Sequence, residues 1–202
     1  MAKKQKQNKF PVWGYFLGAF AVLIVIALMV GLWVAGTYNS FVGLDENTNT
    51  AWGAVQSAYQ RRADLIPNLV ATVKAYSDYE GDVLTQITQA RASVGSAKTP
   101  AELSAAGDEM NSALARLLVV VEAYPNLKAN ENYLDLQAQL EGTENRIKIE
   151  RDNFNNAVRT LNTKIRRFPS NIIAGMFGFS QRDYFESQSG SENAPDVKGL
   201  FE

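Results

Sequence analysis

The chain has 202 residues, with 20 Lys and Arg, 21 Asp and Glu, and neither histidine nor cysteine. These absences exclude thiolate nucleophiles, disulfides, thiolate zinc sites and Ser-His-Asp triads. Carboxylate, lysine, serine or tyrosine chemistry stays open, as does a protein without chemistry. With 46% hydrophobic residues, we expect a folded chain, with one domain of ordinary size plus appendages.

The N-terminal region predicts a membrane anchor. Residues 1–9 carry four lysines and no acidic residue, and residues 10–44 carry no charge at all. The most apolar stretch, Phe16–Val34, has 19 residues. As a helix it measures about 28 Å, which matches the hydrocarbon core of a bilayer. Trp and Tyr residues flank it at both ends, as is typical of spanning helices. We therefore predict a transmembrane signal anchor at residues 10–36.

A cleaved signal peptide and a buried helix of a soluble protein are the alternatives to this anchor. The apolar part of a signal peptide is normally about 7–15 residues long. In addition, Trp33 occupies a position near the candidate exit where cleavage needs a small residue. A soluble helix rarely lacks polar residues over such a length. We favour an uncleaved, single-pass anchor in the cell membrane.

Charge asymmetry predicts the orientation of this anchor. Lysines concentrate on the cytoplasmic side of membrane proteins, so residues 1–9 are expected to form a cytoplasmic tip. Residues 37–202 would then lie outside the cytoplasm, with 16 basic and 21 acidic residues and a net charge of −5. This balance argues against a nucleic-acid partner.

The exported region reads as an all-α bundle. From Leu44 to Phe168, apolar residues recur with alternating spacings of three and four, which predicts long amphipathic helices. The helices are expected to break at 95–100, at Pro125 and at Pro169. The pattern favours an elongated antiparallel bundle of about four long helices, of coiled-coil-like packing, at residues 37–186.

Further details concern the joints of this bundle. The transmembrane helix is expected to continue into the bundle, with Gly36 and Gly43 as flexible points. Pro67 should kink the first bundle helix or begin a new turn. Residues 77–81 are a candidate hinge. Thr99 is expected to cap the helix that begins at Pro100.

Three segments carry a resemblance to a known family. They are YQRRADLIPNLV at 59–70, RLLVVVEAYPNLKAN at 116–130 and LEGTENRI at 140–147, and they occur in the same order as in the LemA family of bacteria. The match extends from about Tyr38 to Phe185. The resemblance implies an antiparallel helical bundle on the extracytoplasmic side of one N-terminal anchor. It implies no defined biochemical activity.

A cluster of polar residues is the first candidate site. Arg62 falls on the apolar stripe of its helix, where a charge is costly unless it is paired, and Glu141 and Glu144 are the expected partners. We favour a structural network that fixes helix register, while a pocket for a ligand or metal stays open. The candidate residues are Arg61, Arg62, Asp64, Asn68, Glu141, Glu144, Asn145 and Arg146.

No catalytic, metal or cofactor residues can be assigned from these carboxylates. A di-iron bundle site requires Glu-x-x-His pairs, which a chain without histidine cannot supply. A calcium loop of the Asp-x-Asp-x-Asp-Gly type is also missing from the sequence. We therefore expect a protein that is not an enzyme and binds no cofactor.

The segment after Pro169 is the second candidate site. It is expected either to dock on the bundle as a short helix and loop, or to contact the membrane surface or a partner as an amphipathic segment. Residues 187–202 read as a flexible tail. The candidate contact residues are Ile172, Ile173, Met176, Phe177, Phe179, Tyr184 and Phe185.

Together these features predict a membrane-anchored envelope scaffold or interaction protein. Its expected partners are the lipid bilayer and other envelope proteins or further copies of itself. An extracytoplasmic sensor of ligands or ions and a membrane-shaping protein are the alternatives.

Overall fold

The computed structural model of the protein describes residues 12–76 and 82–186. These residues form six helices and no strand, which confirms the all-α prediction. The helices are α1 (Val12–Lys74), α2 (Asp82–Ser96), α3 (Pro100–Glu122), α4 (Pro125–Lys128), α5 (Glu131–Arg166) and α6 (Ser170–Phe177).

Helix α1 joins the apolar N-terminal stretch to the bundle without interruption. Its 63 residues correspond to a length of about 95 Å. The predicted continuation of the transmembrane helix into the bundle is confirmed, and Gly36 and Gly43 both lie within the helix. Pro67 also lies inside it rather than starting a new helix. Its neighbours Ile66 and Leu69 are buried in the core, so tertiary packing holds the helix together where one backbone hydrogen bond is missing.

Helices α1 and α5 form the long antiparallel pair of the bundle. Two contacts between them show the direction: Lys164 donates to Ser40, and Arg62 pairs with Glu144. Just beyond the end of α1 and before the start of α5, the Asn130 side-chain amide donates to the Tyr76 hydroxyl at 3.0 Å. Residues further along α1 contact residues nearer the start of α5, so the two helices run antiparallel. Helices α2 and α3 pack on each other and cover one side of α1, and α6 packs on both α1 and α5.

Capping side chains fix the starts of α3 and α5. Thr99 caps α3 as predicted, accepting a hydrogen bond from the Glu102 amide at 3.2 Å, and the Glu102 carboxylate accepts from the Thr99 amide in return. Asn130 caps α5 by accepting from the Tyr133 amide at 3.1 Å. The candidate hinge at 77–81 and the predicted tail at 187–202 lie outside the described residues.

The core is divided into two parts. The larger part follows the apolar stripes of α1, α2, α3 and α5 from Val55 to Val158 and also includes Phe185. The smaller part lies beside the end of the apolar N-terminal stretch, and we call it the membrane-side core. It consists of Phe41, Leu161, Ile173 and Ala174, with Val34, Leu44, Ile165 and Phe179 packed around them.

Gly107 allows α3 to approach α1 closely. A Cβ atom added at Gly107 would lie 2.6 Å from Cε1 of Tyr59, nearer than two carbon atoms approach without a shift. The Tyr59 ring is only 3% exposed and has little room to move. The glycine on the apolar stripe of α3 is therefore a packing position, and burial in this contact raises the pKa of Tyr59.

Candidate functional site

The Arg62–Glu144 pair links α1 to α5 in the middle of the bundle. The Arg62 side chain is 12% exposed and the Glu144 side chain is 55% exposed. Desolvation of the buried guanidinium lowers the pKa of Arg62 from its usual value. Glu141, the other expected partner, instead accepts a hydrogen bond from the side-chain amide of Gln137 at 3.2 Å.

The remaining residues of the predicted polar cluster do not join this pair in one network. Asp64 pairs with Arg91 of α2 at 3.1 Å. Arg146 pairs with Glu150 at 2.7 Å, one turn further along α5. The other three residues are exposed on the bundle surface: Arg61, Asn68 and Asn145. The structure thus brings Arg62, Glu141 and Glu144 to one place and leaves the other five residues apart from them.

A groove of about 340 Å³ opens beside Arg62, between α1, α3 and α5. We call it the Arg62 groove. Its walls are mainly apolar, and two buried polar atoms in it, Nε of Arg62 and Oδ1 of Asn111, have no hydrogen-bond partner among the described residues. Such atoms are rare in folded proteins. The other lining residues are Leu69, Leu114, Ala115, Leu118, Tyr133, Gln137, Leu140, Glu141 and Glu144.

The Arg62–Glu144 pair predicts an asymmetric response to substitution. Arg62→Met removes the charge and leaves Glu144 able to turn to water, so the free energy of unfolding should change by less than about 1 kcal/mol. Glu144→Gln leaves a desolvated guanidinium without its counter-charge, so it should lower the free energy of unfolding by about 1–2 kcal/mol. Urea unfolding of the full chain in detergent measures both values. A larger loss for Arg62→Met than for Glu144→Gln would contradict this description of the pair.

An extended segment after α6, residues 179–186, runs back along α5, and we call it the C-terminal strap. Two asparagines one heptad apart hold its backbone. The Asn162 side chain donates to the Arg182 carbonyl at 2.8 Å and accepts from the Arg182 amide at 2.9 Å. Asn155 makes the same two bonds with the backbone of Phe185, at 3.0 and 2.9 Å. No local pattern in the sequence marks these two asparagines as a clamp for the strap.

Side chains of the strap also contact α1. Arg182 forms an ion pair with Asp45 at 2.9 Å. The Phe185 ring is buried between Trp52 and Phe154, with ring centroids 5.8 and 5.4 Å away. The strap therefore joins α1 and α5 on the membrane side of the Arg62–Glu144 pair.

The predicted contact residues near the C-terminus divide into buried and exposed sets. Ile173 and Phe185 are buried, and Phe179 packs on Phe41 with ring centroids 5.0 Å apart, so these three belong to the bundle rather than to a free contact surface. The other four are exposed by 41–70%: Ile172, Met176, Phe177 and Tyr184. Phe168, which is not among the predicted contact residues, is 77% exposed.

The described residues contain no group of three or more acidic side chains arranged to hold a metal ion. One helix among them is long and apolar enough to cross a membrane, and it is α1. Within the N-terminal half of α1, large apolar side chains from Trp13 to Leu32 are exposed by 45–78%.

Comparison with known proteins agrees with these features. The chain is 26% identical to the Magnetosome protein MamQ 2 of Paramagnetospirillum magneticum, over 92% of this chain and 77% of that protein. It is 25% identical to the Protein LemA of Metamycoplasma hominis, over 77% of this chain and 73% of that protein. The family model described as the LemA family matches residues 51–198. The chain is therefore a membrane-associated protein that belongs to the LemA family.

Proposed function

We propose that the protein is a membrane-anchored envelope scaffold that presents a helical rod to partner proteins. The observation that carries this proposal is the continuity of α1 from an exposed apolar segment to the core of the bundle. Because an uninterrupted helix resists bending, the bundle would stand at a defined height and angle above the membrane. Such a fixed platform suits the positioning of other proteins better than it suits catalysis.

Charge supports an orientation with the bundle outside the cytoplasm. All four charges before the apolar stretch are lysines, and the first charges after it are Asp45 and Glu46. Insertion places lysine-rich flanks on the cytoplasmic side. The scaffold would therefore act on the outer face of the cell membrane.

Exposed apolar side chains offer partner contacts at the end of the bundle far from the membrane. Val119, near the end of α3, is 67% exposed, and Leu134, near the start of α5, is 49% exposed. The start of α5 lies beside the end of α1, as the Asn130–Tyr76 contact shows. Apolar side chains that remain in water here would gain free energy by burial against another protein.

In-cell photo-crosslinking tests the scaffold proposal. A photo-crosslinking amino acid at position 119 or 134 of the full chain should give discrete protein adducts, including adducts to a second copy if the scaffold self-associates. The same amino acid in place of Glu109, an exposed polar position on α3, is the matched control. Equal or absent adducts at all three positions would contradict a partner surface at this end.

A ligand sensor is the second candidate, because of the Arg62 groove. Its two unpartnered atoms require one donor and one acceptor, and its walls require an apolar body, which an alkyl primary amide supplies. Alkyl amides should raise the unfolding temperature of the full chain in nanodiscs. Ala115→Trp, which fills the groove, should abolish the effect, and a flat response in the unsubstituted protein would count against a sensor.

A further inference from the structure

We propose that α6, the corner before it and the adjacent end of α5 form a foot that rests on the membrane and binds anionic phospholipid headgroups. We call this region, residues 159–177, the lipid foot. The inference rests on the proposed membrane anchoring by α1 and adds a second, reversible contact between the bundle and the bilayer.

The fold places the foot beside the end of the spanning segment. Phe177 of α6 packs on Tyr38 of α1, with ring centroids 4.8 Å apart. Val34, the last residue of the most apolar stretch, packs against the membrane-side core to which Ile173 of α6 belongs. Tyr38 lies four residues beyond Val34, about 6 Å along the helix axis. The headgroup layer on each side of a bilayer has a similar thickness.

The foot has an apolar outer stripe that no described residue covers. Phe168, Ile172 and Met176 follow each other at four-residue spacing and are 77, 52 and 70% exposed. The opposite side of α6 is buried through Ile173 and Ala174. Because its other side is already buried in the bundle, α6 leaves the apolar side chains of its outer side in water, which costs free energy. At a membrane interface the same stripe gains free energy by insertion.

A basic recess adjoins this stripe. It has a volume of about 590 Å³, and three of its lining residues are the cations Arg159, Lys164 and Arg167. The other lining residues are Leu44, Thr160, Thr163 and Ser170, so no carboxylate takes part. Arg167 forms no ion pair within the part of the chain that the structure describes, and Arg159 is exposed. Cations and hydroxyls without an acid are the groups that bind a phosphate.

The distribution of charge points to a lipid rather than to a protein surface. Residues 153–182 contain five basic and no acidic residues, although residues 37–202 as a whole have a net charge of −5. Within residues 37–202 this is the longest stretch without an acidic residue, and it coincides with the membrane-side end of the bundle. Each cation near an anionic membrane surface contributes about 1 kcal/mol, or a fivefold change in the docked population.

Fluorescence quenching in nanodiscs tests the foot. The chain has no cysteine, so Met176→Cys provides a single site for an environment-sensitive dye in the full-length protein. Nanodiscs contain phosphatidylcholine alone or with phosphatidylglycerol, together with lipids that carry a quencher at the headgroup. We expect the dye at 176 to be quenched and blue-shifted, more strongly with phosphatidylglycerol. Ser112→Cys on α3, also exposed, is the control and should be quenched in neither membrane.

Neutralising the recess tests the role of charge. Arg159→Gln with Arg167→Gln should lower the docked-to-undocked ratio with phosphatidylglycerol about tenfold or more. The matched pair Arg61→Gln with Lys128→Gln removes two exposed cations elsewhere and should leave the ratio unchanged. Quenching that ignores phosphatidylglycerol, or that both pairs reduce equally, would overturn the proposal. A dye at 176 that stays in water in both nanodiscs would overturn it as well and favour a protein partner for the stripe.

A third label separates this proposal from the anchoring on which it rests. A dye at Leu28→Cys, within the apolar stretch, should be quenched by lipids with a quencher in mid-bilayer. If this label is quenched and the label at 176 is not, the foot is wrong while the anchor stands. If the label at 28 is not quenched, the anchor and the proposed function fail together with the foot.

Discussion

Phe41→Ala is expected to lower the free energy of unfolding of the bundle by about 3–5 kcal/mol, the largest effect of any single substitution that we predict. Phe41 is fully buried, its ring stacks on Phe179 at 5.0 Å, and the ammonium of Lys164 lies 5.3 Å from its centroid. The membrane-side core contains only three other buried residues. A cavity at its centre has few neighbours that could collapse to fill it.

Urea unfolding of the full chain in detergent measures this loss, and hydrogen exchange locates it. We expect the amides of α6 to lose protection first, because Phe41 joins α1 to both α6 and α5. Val42→Ala, at a 44% exposed neighbouring position, is the matched control and should cost much less. Equal losses for the two substitutions would show that the membrane-side core does not hold α6.

Asn162→Ala should lower the free energy of unfolding by about 2–4 kcal/mol. The Asn162 side chain is the hydrogen-bond partner of both the amide and the carbonyl of Arg182, and the residue is only 3% exposed. Each of these two backbone groups costs about 1–3 kcal/mol if it stays buried without a partner. The total loss is limited because the strap can detach, so that water then binds both groups. Asn156→Ala, at an exposed position on α5, is the control.

Limited proteolysis reports on the strap directly. In the Asn162→Ala variant, cleavage within residues 179–186 should become much faster, while α5 itself stays intact. The double substitution of Asn155 and Asn162 should cost less than the sum of the two single ones, since either alone frees part of the strap. Unchanged cleavage of the strap in both single variants would show that the asparagine clamp is not what holds it.

The helical elements and one long-range contact follow from the sequence, for reasons that are physical. The uncharged stretch before Leu44 predicts a helix that spans a membrane. The three-four spacing after it gives each later helix one apolar face. The Arg62–Glu144 pair was predicted because Arg62 is a charge on an apolar stripe, which demands a partner at a matching height. The start of α3 was also predicted, from the capping residue Thr99 and from Pro100 after it.

Other parts of the site depend on distances between helices that no local pattern contains. Asn155 and Asn162 resemble ordinary polar helix residues, and only the return of the strap gives them their role. Gly107 reads as a weak point of a helix until Tyr59 is placed against it. Ile172 and Ile173 are neighbours of the same type, yet one is exposed and the other buried. The side of α6 that faces the bundle packs in one cluster with Phe41, more than a hundred residues away.

Cysteine labelling in spheroplasts tests the central claim, that a single anchor holds the rod on the outer face of the membrane. Because the chain has no thiol of its own, Gln5→Cys and Ser112→Cys each carry one reactive site. With a membrane-impermeant maleimide applied to spheroplasts, we predict labelling of Ser112→Cys at once and of Gln5→Cys only after the membrane is permeabilised. The reverse pattern, or equal labelling of both sites before permeabilisation, would contradict the account.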